Sequence, residues 1–269
     1  MTGESGTAVV PVLSGRHLTK RYDRLYALQD VSLDVNRGEV VGLVGDNGAG
    51  KSTLVGILGG SIPATSGAVL IDGKEIGLSG PEAARRAGIE TVYQDLALAL
   101  DLSVTDNIFM GLEVRRRGLF PRLVGWLDQE AMNGRATKEL ERLGITIPNP
   151  SRLCLTLSGG QRQAVAVARA MAWGSRVVLM DEPTAALGVE EREKVDQLVM
   201  GLRKHGTPVV VISHNLPQVI ELADRIIVLR QGRLVAELAR GRTDLEEVVS
   251  YIVGSKGPTH LSSATLEGP

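Results

Sequence analysis

Short apolar runs, each closed by a glycine or a polar residue and followed by a helical repeat, recur along the chain and predict alternating strands and helices. Val40–Val44 is one such run, and Leu54, Val55, Ile57 and Leu58 follow it at helical spacing. Val177–Met180 and Val209–Ile212 are uninterrupted, the pattern of strands buried on both faces. Between them, Val189–His205 carries Val195, Leu198, Val199 and Leu202 on one face, and Gly206 ends it. Ile89–Tyr93 reads as a strand delivering Gln94, and Asn215–Ala223 as a helix. This alternation implies a mainly parallel sheet with helices on both faces, an α/β fold.

Other stretches depart from that rhythm. Val12–Thr19, Leu28–Val35, Gly67–Ile71 and Lys74–Ile76 are short strand-like runs, and Asp72-Gly73 is a hairpin signal, so the front of the chain predicts an antiparallel β subdomain. Pro81–Ala87 predicts a short helix ended by Gly88. From about 95 to 173 the pattern turns helical, which reads as an inserted helical subdomain. In it, Ser103 with Asp106 starts a helix to about Leu112, and a helix from Asp128 aligns Met132, Ala136, Leu140 and Leu143. Gly160–Ala172 is the next helix. Arg225–Leu238 predicts a hairpin turning at Gln231-Gly232, and Thr243 with Glu246 caps a last helix. Residues 12–253 form a single domain, with 1–11 and 254–269 as flexible tails; no internal repeat is evident.

Composition narrows the class. Across 269 residues, 43% are hydrophobic and 23% charged, the balance of a globular protein with a sizeable core. A net charge of −1 gives no general attraction to nucleic acid, and two Phe, two Trp and four Tyr leave few platforms for stacked bases. Cys154 stands alone and reads as a buried structural thiol. No stretch has a secretory signal's pattern or the ~18–20 apolar residues that cross a bilayer, so any membrane part is expected from another polypeptide. Arg115-Arg116-Arg117 reads as a solvated surface run, with a partner or lipid headgroups as the alternative.

The chemistry begins at Gly45-Asp46-Asn47-Gly48-Ala49-Gly50-Lys51-Ser52-Thr53. Strand, glycine loop and helix start place backbone N–H groups and a positive dipole end around one polyanion; Lys51 reaches β- and γ-phosphates, and Ser52 suits Mg²⁺. A dinucleotide fingerprint does not fit, because Lys51-Ser52-Thr53 occupy the place of its third glycine. Asp181 and Glu182 end the strand Val177–Met180 at the expected ligand edge of the sheet. Asp181 suits Mg²⁺, and Glu182 can orient or deprotonate water for in-line attack on a γ-phosphate. Pro183 predicts an extended backbone at Glu182. His214 and Gln94 end two further strands at that edge, where the first can bond the γ-phosphate and the second Mg²⁺ or the attacking water. In Leu157-Ser158-Gly159-Gly160-Gln161-Arg162-Gln163, Ser158 is a helix-cap residue and the glycines leave first-turn N–H groups open, a second anion site. Its remoteness from the first loop fits two copies packed head to tail.

These motifs, in this order, closely resemble the ATP-binding cassette (ABC) ATPases, a P-loop NTPase fold, from about Val12 to Leu238. The resemblance implies ATP and Mg²⁺ as ligands, Gly45–Thr53 as Walker A, and Asp181 and Glu182 as Walker B aspartate and catalytic glutamate. It implies Gln94 as the Q-loop glutamine, His214 as the switch histidine, and Leu157–Gln161 as the signature acting in trans. Tyr22 aligns with the adenine-stacking aromatic, with Tyr26 its neighbouring alternative. Gly188 stands where the family usually has an aspartate that acts across the dimer. The wording around Gly45, Glu182 and His214 is similar to bacterial simple-sugar importer ATPases of ribose, xylose and fructose type. That implies a homodimer in the ATP-bound state, integral membrane permease subunits, a solute-binding protein and a peripheral place on the cytoplasmic face of the inner membrane. A non-sugar importer, or a cytosolic ABC ATPase outside transport, is the alternative; nucleic acid is not an expected partner.

Overall fold

The computed structural model describes residues 10–116, 126–185 and 187–259. Strands β1 (Leu13–Tyr22), β2 (Leu25–Val35), β3 (Val40–Val44), β4 (Ser66–Ile71), β5 (Lys74–Ile76), β6 (Ile89–Val92), β7 (Val177–Asp181), β8 (Val209–Ile212), β9 (Arg225–Arg230) and β10 (Arg233–Ala239) form two sheets. One is antiparallel, in the order β2-β1-β4-β5; the other runs β10-β9-β3-β8-β7-β6, parallel except at β10.

The apolar runs are explained by what covers each face. In β7, Val177 and Leu179 pack with Leu54, Ile57 and Leu58 of α1 (Lys51–Leu58) and with Leu13, Leu28 and Val31 of the antiparallel sheet. Their neighbours Val178 and Met180 share the opposite core with Leu198, Val199 and Leu202. Both faces therefore need apolar side chains, each contributing roughly 1.5–3 kcal/mol when fully buried. Leu43↔Ile212, Asp181↔Ile212 and Val92↔Met180 are in register, so the strand ends followed by Gly45, Gln94, Glu182 and His214 emerge on one edge.

Helices α2 (Pro81–Ala87), α3 (Val104–Phe109), α4 (Gln129–Arg142), α5 (Gly159–Ala172), α6 (Val189–Lys204), α7 (Leu216–Leu222) and α8 (Leu245–Val253), with one 3-10 turn at Cys154–Thr156, complete the described elements. In the helical region, α3, α4 and α5 pack together. Ser103 caps α3 by accepting from Asp106 N–H, and Asp128 caps α4. Asn107, fully buried, ties the segment down: its Nδ2 donates to the Ala99 and Ser103 carbonyls, both at 2.9 Å, and its Oδ1 accepts from Ala99 N–H. Cys154 is buried beside it, and burial pushes its thiol above the ordinary range. A thiol reagent at pH 8 is therefore expected to leave Cys154 unmodified in the folded protein and to react stoichiometrically in denaturant; rapid labelling without denaturant would contradict this burial.

Four expectations change. The first hairpin is longer than its apolar runs, because polar residues alternate outward to its tip. Helix α3 stops at Phe109, where Leu112 N–H turns back to the Phe109 carbonyl at 2.7 Å. Helix α8 is capped by Asp244, which accepts from Glu247 N–H at 2.7 Å, while Thr243, one residue earlier, donates its hydroxyl to the Ala239 carbonyl. Part of the expected C-terminal tail is held: Thr259 exchanges backbone bonds with Val235 and Glu237 of β10. Residues 1–9, 260–269 and Arg117 of the arginine run lie outside the described residues.

Candidate active site

At the common strand edge, Asn47–Thr53, Gln94, Asp181 and Glu182 line one cavity of about 430 Å³, joined by Ala27 and Ile212. The loop is shaped by close approach. Gly45 has φ +152° and a Cβ there would run into the Leu229 carbonyl; Gly50 has φ +105° and its Cβ would come 2.6 Å from the Ala27 carbonyl. Gly232, in the β9–β10 turn, braces the loop by donating its N–H to the Ala49 carbonyl at 3.0 Å, while its own carbonyl accepts from Gln29 N–H at 2.7 Å. Lys51 Nζ donates to the carbonyls of Gly45 and Asp46 at 2.8 and 3.0 Å, which holds the ammonium over the cradle.

Burial pushes the Asp181 carboxyl above the usual carboxylate range, the neighbouring Glu182 carboxylate adds to this, and Lys51 opposes it. Ser52 hydroxyl, Gln94 amide and Asp181 carboxylate are hard oxygen donors around one space. They fit Mg²⁺, which takes few protein ligands beside phosphate oxygens and water.

Glu182 corrects an expectation. Its backbone is left-handed at φ +51°, not extended as Pro183 predicts. Two bonds override the proline: Glu182 N–H donates to the Ile212 carbonyl at 3.0 Å, and Ala185 N–H closes a turn onto the Glu182 carbonyl at 3.1 Å. A non-glycine residue held this way costs about 1–3 kcal/mol. The turn brings the carboxylate to His214, whose Nδ1 lies 2.7 Å from Glu182 Oε2.

The signature stretch stands elsewhere. Leu157–Gln161 lies at the start of α5 and takes no part in lining this cavity. Ser158 Oγ accepts from Gln161 N–H, and Gln161 Oε1 accepts from Ser158 N–H in return, which fixes the helix start. A Cβ on Gly159 would meet Leu187 at 2.6 Å, so glycine also lets α6 begin close by. Gly188 is the N-cap of α6, its N–H given to Glu191 at 3.4 Å. Tyr22 and Tyr26 sit at the exposed hairpin tip, and Lys20 Nζ lies 4.9 Å from the Tyr22 ring centroid. Neither tyrosine lines the cavity.

Three contributors escaped the sequence reading. Ala27 of β2 and Gly232 of the β9–β10 turn shape the loop from distant parts of the chain, and Arg169 of α5 donates to the carbonyls of Ala97 and Leu96 at 2.7 and 3.0 Å. Those bonds hold the segment after Gln94, where Leu96 and Ala97 both have positive φ. A lone arginine within the apolar run of α5 was the available signal for the last.

Residues 28–185 match the ABC transporter family. The chain is 46% identical over 249 residues to the fructose import ATP-binding protein FrcA of Rhizobium meliloti, covering 92% of this chain and 96% of that one. It is 44% identical to the xylose/arabinose import ATP-binding protein XylG of Sulfolobus acidocaldarius, covering 90% and 93%. To the ribose import ATP-binding protein RbsA 2 of Escherichia coli O157:H7 it is 43% identical, but it spans only 47% of that protein's length. Among solved structures, an ABC transporter cassette in its ADP conformation superposes with TM-score 0.73 at 28% identity, covering 90% of this chain and 94% of that one. A dimeric bacterial ABC transporter cassette gives TM-score 0.69 at 31% identity, covering 84% and 98%. A chain whose glycine loop, Asp181 and Glu182 meet in one strand-edge cavity thus matches ATP-binding cassettes over most of its length, and it is an ATPase that belongs to the ABC transporter family.

Proposed function

We propose that this chain is the ATP-hydrolysing subunit of an importer for a simple sugar. The observation that carries the reading is the convergence of Asn47–Thr53, Gln94, Asp181 and Glu182 on one cavity, with His214 in contact with Glu182. The sugar class rests on the similarity to import ATP-binding proteins named for fructose, ribose and xylose/arabinose.

In this reading the backbone N–H groups of Gly48–Thr53 and the Lys51 ammonium hold the β- and γ-phosphates of ATP. Mg²⁺, when bound by Ser52, Asp181 and Gln94, neutralises charge on the phosphate oxygens. Glu182 accepts a proton from the water that attacks the γ-phosphorus in line with the leaving ADP oxygen, and His214 holds that carboxylate in place. Tyr22 or Tyr26 stacks on adenine. Ser158, Gly159 and Gly160, with Leu157 and Gln161 framing their turn, reach the γ-phosphate of a second copy. The site is completed in a head-to-tail homodimer, a reading supported by the dimeric cassette that this chain resembles.

No helix among the described residues is long and apolar enough to cross a membrane. In this reading the transport path belongs to separate permease subunits, which receive solute from a binding protein, and the ATPase sits peripherally on the cytoplasmic face of the inner membrane, as the similarity to import ATP-binding proteins supports. Native isolation through a tag on this chain is expected to recover a membrane permease. ATP turnover of the assembled complex should rise with one pentose or hexose presented by its binding protein. Recovery of the chain without a membrane partner, at full basal turnover, would count against the assignment.

A further inference from the structure

Behind the Glu182–His214 pair, three polar side chains from three elements form a chain that the ATPase chemistry does not use. Thr184, two residues after Glu182 and only 5% exposed, donates its hydroxyl to Gln218 Oε1 at 2.9 Å. Gln218 Nε2 donates to Asp196 Oδ1 of α6 at 2.6 Å. Gln218 lies one helical turn beyond His214, in the first turn of α7, and its own N–H is given to the cap residue Asn215.

We propose that Gln218 is a positioning residue that sets the distance between the turn carrying Glu182 and the helix start carrying His214. The inference rests on the roles assigned above to those two residues. Its amide is suited to the place because it accepts on one side and donates on the other, and the two neighbours demand one of each. Through it, the turn after β7 and the start of α7 are referred to α6, a long helix packed into the core at Val195, Leu198, Val199 and Leu202. The bonds to Ile212 and from Ala185 hold the left-handed backbone at Glu182, and Thr184, inside that turn, carries the further link to Gln218.

Two variants separate positioning from bulk stability. Gln218→Leu keeps the volume and removes both bonds; kcat for ATP hydrolysis by the full chain is expected to fall about 10- to 100-fold with KM for ATP little changed. Gln218→Glu puts a carboxylate against Asp196, with Glu193 of α6 and Glu221 of α7 adding negative charge and the Glu182–His214 pair beyond Thr184. When ionised it cannot donate to Asp196; with one proton between the two carboxyls the chain is restored. The ratio of Gln218→Glu activity to wild-type activity is therefore expected to rise several-fold from pH 8 to pH 6. Wild-type kcat in Gln218→Leu, or a pH-independent ratio for Gln218→Glu, would overturn the proposal. Glu182→Gln, assayed alongside, tests the assigned roles separately: normal turnover there refutes the site reading, whereas lost turnover there with unimpaired Gln218→Leu refutes only this inference.

Discussion

Glu182→Gln is expected to lower ATP hydrolysis by about 10²–10⁴-fold, the range removed when a positioned general base is lost. The amide matches the carboxylate in size, so the left-handed turn and the contact with His214 can be kept. What disappears is the proton acceptor. The phosphate loop, Lys51 and Asp181 are untouched, so ATP binding should survive within a few-fold, and an ATP-bound dimer should accumulate under Mg²⁺-ATP. Size-exclusion chromatography with and without nucleotide, beside a phosphate-release assay, reads both effects. The thermal midpoint should not move, because Gln meets the same backbone strain as Glu. Undiminished phosphate release would place water activation on another group.

Arg225→Met should destabilise the domain by about 3–5 kcal/mol without touching the cavity. Arg225 lies only 8% exposed at the start of β9. It donates to Glu39 at 2.8 and 3.3 Å, to Glu237 at 2.9 Å and to the Asp34 carbonyl at 2.5 Å. Burial works against its charge, but its bonds to Glu39 and Glu237 and their negative charge outweigh it and hold the guanidinium above its ordinary range. Removing it leaves two partly buried carboxylates and a carbonyl without their cation, which costs more than the pair itself contributes. For a domain of this size the loss corresponds to a fall of roughly 10 °C in the unfolding midpoint. Scanning calorimetry checks it, and an unchanged midpoint would mean that water compensates these groups.

Both predictions depend on features that differ in how far the chain reveals them. Val177–Met180 and Val209–Ile212 were readable because burial on two faces leaves no polar position, a constraint written in consecutive residues. The glycine loop between β3 and α1 was readable because its glycines and Lys51 lie within nine residues of one another. Arg225, Arg169 and Gln218 were not, since their partners lie far off in sequence and polar side chains carry no period. The cap of α8 shows a finer limit: Thr243 with Glu246 and Asp244 with Glu247 fit the same spacing one residue apart, and spacing alone does not choose between them. At Glu182 a sound local rule about proline lost to the ladder with β8 and to the turn closed by Ala185.

The return of Thr259 to β10 has a meaning beyond tidying a tail. Strand β10 is the outer strand of its sheet, and an outer strand offers a template on which another chain can add. Thr259 N–H takes the Val235 carbonyl at 2.8 Å and its carbonyl accepts from Glu237 N–H at 3.2 Å, so part of that template is already occupied from within. The same hairpin supplies Gly232 to the phosphate loop. A few residues past the last helix thereby cover part of the sheet's open edge, and they do so on the hairpin whose turn braces the glycine loop.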